Sequence, residues 1–337
     1  MMKVAILGAS GIVGMQMLKC IEERNIDCEL VLLASNKSKG KEVYFKNKKL
    51  IIEEVSKESF NGIDYVLGAV SSTLSKEYLP YIKESKAIFI DNSNAFRMNE
   101  DVPLVVPEIN KDDIKLQKGI IANPNCSTII ACMAIYAINK ISEIEKMIVS
   151  TYQAVSGAGI FGIKELEEEI NDISKKQEIQ KKDDATFPYQ IASNLIPSIG
   201  NPLDNLYTSE EMKMQNEGRK IMHLPNLKVT CTCVRVPVIR SHSLSISLET
   251  KEKLSIDKIR EAISKFDGVH LVDDLQNNKY PMPLDTTDKD FVEVGRIRED
   301  LVFENGISLW ACGDQVRKGA ATNAIQILEE CIKQKIK

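Results

Sequence analysis

Cys126 lies in a sequence context that suits a reactive thiol. The run Asn123–Thr128 reads NPNCST and leads into an apolar stretch with helical spacing. Because Pro124 interrupts regular structure, we expect Cys126 at or just before the first turn of that helix. The helix dipole and the unpaired backbone N–H groups there favour the thiolate, which is the nucleophilic form of cysteine. A free cysteine is also a common small core residue, so this context alone leaves both roles open.

A thiolate enzyme commonly needs a histidine as its acid–base partner, and this chain has three histidines. His242 ends the run Arg235–His242, which reads RVPVIRSH, and is the leading candidate. His223 lies in the turn-like sequence MHLP, and His270 lies in a strand-like run. Spacing along the chain places none of the three beside Cys126, and each is compatible with a structural role.

A glycine-rich turn joins the first predicted strand to the first predicted helix. Gly8–Gly14 reads GASGIVG and directly follows the apolar run Lys3–Leu7. Glycines let the backbone approach a phosphate, and a helix N-terminus supplies N–H donors and a positive dipole. The spacing is G-x-x-G-x-x-G, with Ser10 where the G-x-G-x-x-G pattern has a glycine, and glycines also serve ordinary turns. The position of this turn after a first strand predicts a dinucleotide-binding site.

The end of the second predicted strand indicates which dinucleotide binds. An NAD site usually has an acidic residue there, which holds the ribose 2′-hydroxyl. Here the strand Glu29–Ala34 is followed by Ser35–Lys39, SNKSK, which contains two lysines and no acid. Cations and hydroxyls suit a 2′-phosphate, so the sequence favours NADP over a basic loop that is merely solvated.

The cysteines predict neither a metal site nor a disulfide scaffold. Cys231 and Cys233 stand two residues apart, but no second Cys or His pair at ligand spacing accompanies them. We therefore interpret them as residues of a strand. Eight cysteines in 337 residues are too sparse for a disulfide scaffold, which favours reduced thiols and a cytoplasmic location. The N-terminal residues run straight into a strand-like stretch and lack a secretory pattern, in agreement with that location.

Residues 1 to about 125 predict a doubly wound α/β domain with a parallel sheet. Short apolar runs alternate there with helix-compatible segments such as Met15–Glu23, which is the pattern of that architecture. The strand-like runs are Lys3–Leu7, Glu29–Ala34, Tyr65–Val70, Ala87–Ile90 and Gly119–Ala122. Residues 127–139 predict a further helix, with an apolar stripe of Ile129, Ile130, Met133 and Ala137.

From about residue 147 longer alternating runs predict a second, mainly antiparallel sheet. These runs are Met147–Gln153, Lys228–Val238, His242–Glu249 and Ile307–Cys312. Residues 164–184 are highly charged, with apolar residues at helical spacing, and predict an amphipathic helix followed by a mobile connector. The run Ala320–Ile336 predicts a closing helix.

Length and composition agree with about two globular domains. Hydrophobic residues make up 43% and charged residues 27%, which excludes a disordered chain, a collagen-like repeat and a coiled coil. The formal net charge of −4 disfavours a nucleic-acid-binding protein, which would usually be basic. No stretch approaches 18 uninterrupted apolar residues, so we expect no membrane span.

Several stretches occur in the same order as in a known family. Besides the GASGIVG and NPNCST runs, they are Asp91–Arg97, Val105–Asn110, Ser150–Gly159, Tyr207–Met214, Cys233–His242 and Lys318–Ala321. Through these stretches the chain resembles the aspartate-β-semialdehyde dehydrogenase family almost from end to end. The resemblance implies a Rossmann-type NADP-binding domain, residues 1–125, completed by a C-terminal helix, 319–337. It also implies a catalytic and dimerisation domain, 126–318, with a mixed, mainly antiparallel sheet of the glyceraldehyde-3-phosphate-dehydrogenase-like kind.

The resemblance further implies a role for each matched residue. Cys126 would be the nucleophile, His242 the general acid/base, and Gln153 a residue that orients the substrate or the covalent intermediate. The other implied substrate contacts are Glu210 to the ammonium, Arg235 to the α-carboxylate, and Arg97 and Lys213 to the phosphate. The implied cofactor contacts are Gly8, Ser10, Gly11, Ile12, Val13, Lys37, Ser38, Ser156, Gly157 and Gln315.

The implied reaction is the NADPH-dependent reductive dephosphorylation of L-aspartyl-4-phosphate to L-aspartate-4-semialdehyde through a cysteine thioester. It belongs to the biosynthesis of lysine by way of diaminopimelate, and of threonine, methionine and isoleucine. The family forms homodimers or tetramers that act on a small molecule, without a nucleic-acid or membrane partner.

Three features limit the transfer of these roles. Lys37 stands where relatives often have arginine, which leaves room for some use of NAD. The choice of Glu210 over Glu211 rests on the E-x-x-K spacing to Lys213. Residues 160–205 carry little motif content.

Two alternative functions remain at this point. An N-acetylglutamyl-phosphate reductase uses the same cysteine chemistry, but its acetylated substrate has no ammonium group for Glu210 to bind. A non-catalytic NADP-binding sensor on the same scaffold would keep Gly8–Gly14 and would need neither Cys126 nor His242.

Overall fold

The computed structural model describes residues 1–179 and 183–336. The strands, in chain order, are β1 Lys3–Leu7, β2 Glu29–Ala34, β3 Glu42–Phe45, β4 Lys48–Ile51, β5 Glu53–Glu54, β6 Tyr65–Gly68, β7 Ile88–Asp91, β8 Ile120–Ala122, β9 Ile144–Gln153, β10 Lys228–Arg235, β11 His242–Thr250, β12 Val269–Leu271, β13 Val292–Glu299 and β14 Gly306–Gly313. The helices are α1 Ile12–Glu23, α2 Ser72–Glu84, α3 Pro107–Asn110, α4 Cys126–Asn139, α5 Ile160–Ser174, α6 Ser209–Met222, α7 Ile256–Ser264, α8 Pro283–Thr286 and α9 Thr322–Lys333.

The chain forms two compact units. The first unit contains Met1–Asn125 and the segment from Gly319 onward, and the second contains Cys126–Lys318. In neither described unit is there a helix with the length and apolar character that a bilayer span requires.

The first unit is built on a parallel sheet with the strand order β5-β2-β1-β6-β7-β8. Its large apolar core lies between this sheet and the helices α1 and α9. Alternate residues of β6 and β7 face that core, because successive side chains of a strand point to opposite faces. The predicted doubly wound α/β architecture is therefore confirmed.

The second unit is built on a mixed sheet with the strand order β10-β9-β11-β14-β13-β12. The two outer pairs, β10 with β9 and β12 with β13, are parallel, and the three inner pairings are antiparallel. This arrangement confirms the mixed, mainly antiparallel sheet. Helix α4 packs against the central strands and is flanked by α6 and α7.

The four residues of the predicted apolar stripe on α4 are buried, and the burial extends around most of the helix. All residues of α4 are buried except Cys126, Tyr136 and Asn139, which are partly exposed. A helix that is apolar on every side is enclosed by its neighbours rather than lying on a surface. Cys126 therefore begins a helix that the fold holds firmly.

Other predicted bounds shift by a few residues for identifiable reasons. Helix α1 begins at Ile12 instead of Met15, because Gly11 already serves as its N-cap. Strand β10 ends at Arg235 instead of Val238, since Pro237 has no N–H to donate to a sheet.

The helix in the charged segment is present as predicted, whereas the closing helix is shorter than predicted. The helix in the charged segment ends at Ser174, and part of the predicted connector, residues 180–182, lies outside the described residues. The closing helix begins at Thr322 after a π-helical turn, Arg317–Ala321, instead of at Ala320.

Candidate active site

Three strand ends meet at one edge of the second sheet. β9 and β10 run parallel, and Gln153 pairs with Arg235 at their carboxyl ends. β11 runs antiparallel to β9, with Ser243 opposite Tyr152, so His242 begins β11 beside the end of β9. Strand register therefore gathers Gln153, Arg235 and His242, which are far apart in the sequence.

Helix α4 presents the thiol to this edge of the sheet. Cys126 is the first residue of α4, and its Sγ lies 3.5 Å from Nε2 of His242. The cysteine is partly exposed, whereas the imidazole is fully buried. The structure thus selects His242 from the three histidines as the one beside Cys126.

The other ring nitrogen of His242 is held by the backbone. The N–H of Ala154 donates to Nδ1 of His242 over 3.0 Å. Burial, aided by the positive charge of Arg235, lowers the pKa of His242 to about 3, while Glu210 opposes that shift. The ring is therefore neutral at physiological pH.

Arg235 is buried next to the histidine and is fixed from two sides. Its Nη1 donates to the carbonyl of Ala154 over 2.7 Å, and its Cζ lies 5.8 Å from the centroid of the Phe187 ring. Burial lowers the pKa of Arg235 from its usual value. A Cβ at Gly157 would lie 2.8 Å from Nη1 of Arg235, so a side chain there would displace the guanidinium.

Phe187 is held in place by helix α5. It packs with Val155 and Leu166 in a small apolar cluster, and its N–H donates to Glu165 over 3.3 Å. Nothing in the local sequence indicated this contact with Arg235, because Phe187 follows a charged segment with little motif content.

A second group of polar side chains borders the site. Nε2 of Gln153 donates to Thr151 over 3.3 Å and to Glu210 over 3.4 Å. The other carboxylate oxygen of Glu210 pairs with Nζ of Lys213 at 2.7 Å, and both side chains are largely buried. The carboxylate of Glu210 therefore links Gln153 to Lys213.

The neighbouring acid, Glu211, has a structural task. Its carboxylate accepts from the N–H of Thr208 over 2.7 Å in a capping box at the start of α6, and from the N–H of Cys233 over 3.1 Å. Since Glu211 is occupied in this way, Glu210 is the acid of α6 that reaches the site. Cys231 and Cys233 are strand residues, as predicted.

The loop that precedes His242 is held by a buried amide. Gln315 accepts from the N–H of Ser241 over 2.8 Å and donates to the hydroxyl of Ser156. Ser241 has a φ of 72°, which is a left-handed conformation that a non-glycine residue adopts at a cost. Ser156 and Gln315 therefore hold each other and the backbone next to the histidine.

In the first unit the glycine turn has the geometry of a phosphate cradle. Gly8 has a φ of 91°, and a Cβ there would lie 2.3 Å from the carbonyl oxygen of Ala69. A Cβ at Gly14 would lie 2.3 Å from the carbonyl of Gly8, and Gly11 caps α1 without a side-chain bond. A cavity of about 420 Å³ opens here, lined by the turn, the end of β2, Glu54, Leu74 and Tyr78. Ser10 is exposed, and Ile12 and Val13 are half-buried.

An acidic residue that the sequence did not predict at this position lies beside the end of β2. Glu54 of β5 pairs with Ala34 in the sheet and accepts from Asn36 over 2.8 Å and from Lys39 over 3.1 Å. These contacts lower the pKa of Glu54. Lys37 is exposed and Ser38 is buried in the short turn that follows β2.

Arg97, the other expected phosphate ligand, also belongs to the first unit. It is buried, and its guanidinium donates to the carbonyls of Asn123 over 2.9 Å and of Asn92 over 2.7 Å. The two expected phosphate ligands, Arg97 and Lys213, therefore come from different units.

Comparison with known proteins identifies the family. Residues 3–117 match the NAD binding domain of semialdehyde dehydrogenases, and residues 136–318 match their dimerisation domain. The chain is 48% identical over 336 residues to the aspartate-semialdehyde dehydrogenase of Aquifex aeolicus, covering 98% of each chain. The chain belongs to the aspartate-semialdehyde dehydrogenase family. It is therefore an oxidoreductase, and the predicted dinucleotide-binding domain is confirmed.

Other members of the aspartate-semialdehyde dehydrogenase family agree. The Bacillus subtilis enzyme is 46% identical over 333 residues, covering 97% of this chain and 96% of its own. The crystal structure of aspartate semialdehyde dehydrogenase II from Vibrio cholerae has a TM-score of 0.95 and 40% identity, covering 98% of each chain. A second structure of that enzyme, complexed with ASA, has the same TM-score.

Proposed function

We propose that this chain reduces L-aspartyl-4-phosphate to L-aspartate-4-semialdehyde and phosphate with NADPH, and catalyses the reverse phosphorylating oxidation. The observation that carries the proposal is the 3.5 Å approach of Cys126 Sγ to His242 Nε2 beside Arg235 and Glu210. The place in amino-acid biosynthesis, for lysine, threonine, methionine and isoleucine, follows from the family.

Cys126 is the nucleophile of this proposal. Its thiolate attacks the acyl carbon of the substrate, the C–O bond to phosphate breaks, and a thioester remains on Cys126. His242 Nε2 faces the sulfur and the developing oxyanion. Gln153 lies at the same sheet edge, where its amide orients the acyl group.

The charged side chains select the rest of the substrate. The planar guanidinium of Arg235 suits the α-carboxylate, which it can bind through two N–H groups. Glu210 suits the free ammonium, and its carboxylate also forms an ion pair with Lys213. Lys213 and Arg97 are the proposed phosphate ligands. An acetylated substrate has no ammonium group for Glu210 to bind, which disfavours the N-acetylglutamyl-phosphate alternative.

The first unit fits a dinucleotide, because a Cβ would fill the cradle at Gly8 and Gly14. A reduced nicotinamide, when bound, supplies the hydride for the thioester. Ser10, Gly11, Ile12 and Val13 are proposed to hold its phosphates, and Lys37 and Ser38 the 2′-phosphate of NADP. Ser156, Gly157 and Gln315 are the proposed contacts from the second unit.

The proposed assembly is a homodimer or tetramer in the cytoplasm. Its support is the match of residues 136–318 to a dimerisation domain. We propose the division of labour between NADP-binding residues 1–125, with 319–337, and catalytic residues 126–318 on the same basis.

The test is NADP reduction by L-aspartate-4-semialdehyde in the presence of phosphate. Cys126→Ala should lower kcat by roughly 10⁴-fold or more, because the covalent route is lost. Cys132→Ala, the same change at a buried position of the same helix, is the matched control and should keep most of the activity. A wild type that binds NADP but turns over only the acetylated analogue, or neither substrate, would refute the proposal.

A further inference from the structure

We propose that Glu211 is a positioning residue that fixes the distance between Glu210 and Arg235, and thereby makes the site selective for a substrate with a free α-amino acid end. The inference rests on the proposed function, in which Glu210 binds the ammonium and Arg235 the α-carboxylate. Glu211 acts through these two residues and does not itself bind the substrate.

The first argument is that the carboxylate of Glu211 joins two different elements. One oxygen accepts from the N–H of Thr208 over 2.7 Å and closes the capping box of α6. The other oxygen accepts from the N–H of Cys233 in β10 over 3.1 Å. The side chain is buried, where hydrogen bonds to a carboxylate are strong. A capping box needs only the first bond, so the second is a separate link from helix to strand.

The second argument is the register of this link. β10 is the outermost strand of the second described sheet, and every second N–H of β10 points away from β9. Arg235 uses its outward N–H in a backbone bridge, which places the N–H groups of Cys233 and Val229 in the same outward row. The N–H of Val229 donates over 3.2 Å to Gln215, one helical turn after Glu211 in α6. Two attachments therefore fix the position and the rotation of α6 against β10.

The third argument is that both substrate ligands lie next to these attachments. Glu210 directly precedes Glu211 in α6. Arg235 lies two residues after Cys233 and on the same face of β10, because strand side chains alternate. A shift of α6 along β10 therefore changes the separation of Glu210 from Arg235. Gln153 donates to Glu210 over 3.4 Å, a long hydrogen bond that a small shift would break.

The substrate makes this separation important. The ammonium and the α-carboxylate of an amino acid are attached to the same carbon, so covalent geometry fixes the distance between them. A site that binds both groups at once must hold its own carboxylate and guanidinium at the matching distance. Binding groups achieve this only when neighbouring hydrogen bonds hold them firmly. The link from Glu211 to β10 supplies that support.

The test uses Glu211→Gln, which separates the two links. Glutamine keeps one oxygen for the N–H of Thr208, as in other capping boxes, and turns its NH₂ group toward the N–H of Cys233. Since a displacement of about 1 Å can cost about 100-fold, we expect KM for the semialdehyde to rise roughly 10- to 100-fold. Steady-state kinetics should show kcat within about threefold of the wild type, because Cys126 and His242 lie on other elements.

Thr208→Ala is the matched control. It removes the hydroxyl that accepts from the N–H of Glu211 over 3.3 Å, and it leaves both bonds of the Glu211 carboxylate in place. A weaker helix start lowers the folded fraction, which reduces kcat and leaves KM unchanged. Gln215→Ala removes only the second attachment and should raise KM roughly 2- to 10-fold. It provides the test by itself if Glu211→Gln does not fold.

Succinic semialdehyde, which lacks the ammonium group, measures the selectivity. It can meet Arg235 but has nothing for Glu210 to bind, so the separation of the two residues does not affect it. We expect Glu211→Gln to lose kcat/KM for aspartate semialdehyde by the factor that its KM rises, and to keep kcat/KM for succinic semialdehyde.

Three results would overturn the inference while leaving the proposed function intact. They are an unchanged KM in Glu211→Gln, an equal rise of KM in Thr208→Ala, and an equal loss of kcat/KM for the two semialdehydes. A wild type without turnover of aspartate semialdehyde would instead refute the proposed function, and this inference with it.

Discussion

The glycine turn of the first unit and the thiol site of the second are built in opposite ways. Gly8–Gly14 is seven consecutive residues, and its shape follows from backbone conformation and from contacts with the adjoining strands. The thiol site takes Cys126, Gln153, Glu210, Arg235 and His242 from five elements. A local motif tolerates change elsewhere in the fold, whereas a dispersed site depends on sheet register and burial.

The two regions also differ in what limits substitution. At the turn the limit is steric, since a Cβ on Gly8 would meet the backbone of Ala69. At the thiol site the limit is electrostatic, because the buried His242 and Arg235 depend on backbone and charged partners. We therefore expect turn variants to change cofactor binding, and thiol-site variants to change chemistry or substrate binding.

Gly8→Ala should have the largest of these effects. The left-handed φ of 91° and the 2.3 Å approach to Ala69 force the turn to move. Strain of about 1–3 kcal/mol corresponds to roughly 5- to 150-fold weaker NADP binding, measured by calorimetry. Gly40→Ala is the control, with a φ of 80° but no atom within 4 Å of its Cβ, and should bind NADP normally. A slower Cys126 alkylation in Gly8→Ala would contradict the independence of the two regions.

The burial of His242 should appear in the pH dependence of stability. Its pKa is about 3 in the folded chain, against 6.5 as the reference value. Between these values the unfolded chain binds a proton that the folded chain does not, so stability falls as pH decreases below 6.5. The histidine contributes a slope of up to about 1.4 kcal/mol per pH unit.

Urea unfolding at several pH values measures this slope. His242→Gln should lose it, while His270→Gln, at an exposed position, should retain it. Equal slopes in the wild type and in His242→Gln would show that the folded and unfolded chains protonate His242 alike.

Phe187→Leu should weaken substrate binding without changing the chemical step. Loss of the ring over Arg235 removes a cation–π contact worth about 0.5–2 kcal/mol, so we expect KM for the semialdehyde to rise about 2- to 30-fold. Steady-state kinetics should show kcat within about twofold. Tyr189→Leu, an exposed ring of the same segment, should leave both constants unchanged. If kcat fell while KM stayed unchanged, Phe187 would not act by supporting substrate binding at Arg235.

Glu54→Gln should have the smallest effect, which is a gain in affinity for NADP. The carboxylate of Glu54 accepts hydrogen bonds from Lys39 and Asn36 beside the proposed 2′-phosphate position. Its negative charge would repel that phosphate. Interactions of an exposed charge are weak, so we expect NADP to bind only slightly more tightly relative to NAD. Glu53→Gln, on the same short strand, is the control. If the affinity for NADP relative to NAD stayed unchanged, the charge of Glu54 would not reach the 2′-phosphate.

Much of the first unit could be predicted from the sequence. β1 and β2 have the predicted ends, and the glycine turn joins β1 to the first turn of α1. These features depend on neighbours in the chain, because strand alternation and glycine conformation are local. The family also followed from ordered motifs.

The thiol site could be only partly predicted. The motifs named Cys126 and His242, but their approach depends on the pairing of β9, β10 and β11 and on the packing of α4. The sequence could not indicate the contact between Ala154 and His242, because Ala154 contributes only its backbone N–H. It could not indicate the contact between Phe187 and Arg235 either, because Phe187 follows a stretch without motifs.

The sequence by itself determined the alternating elements, the glycine turn, the nucleophile candidate and the family. The tertiary structure alone decided which histidine meets the thiol, which ring nitrogen faces it, and that Glu210 rather than Glu211 reaches the site. The physical reason is that backbone preference acts between neighbouring residues. Hydrogen-bond direction, charge proximity and burial arise only when distant strands pair.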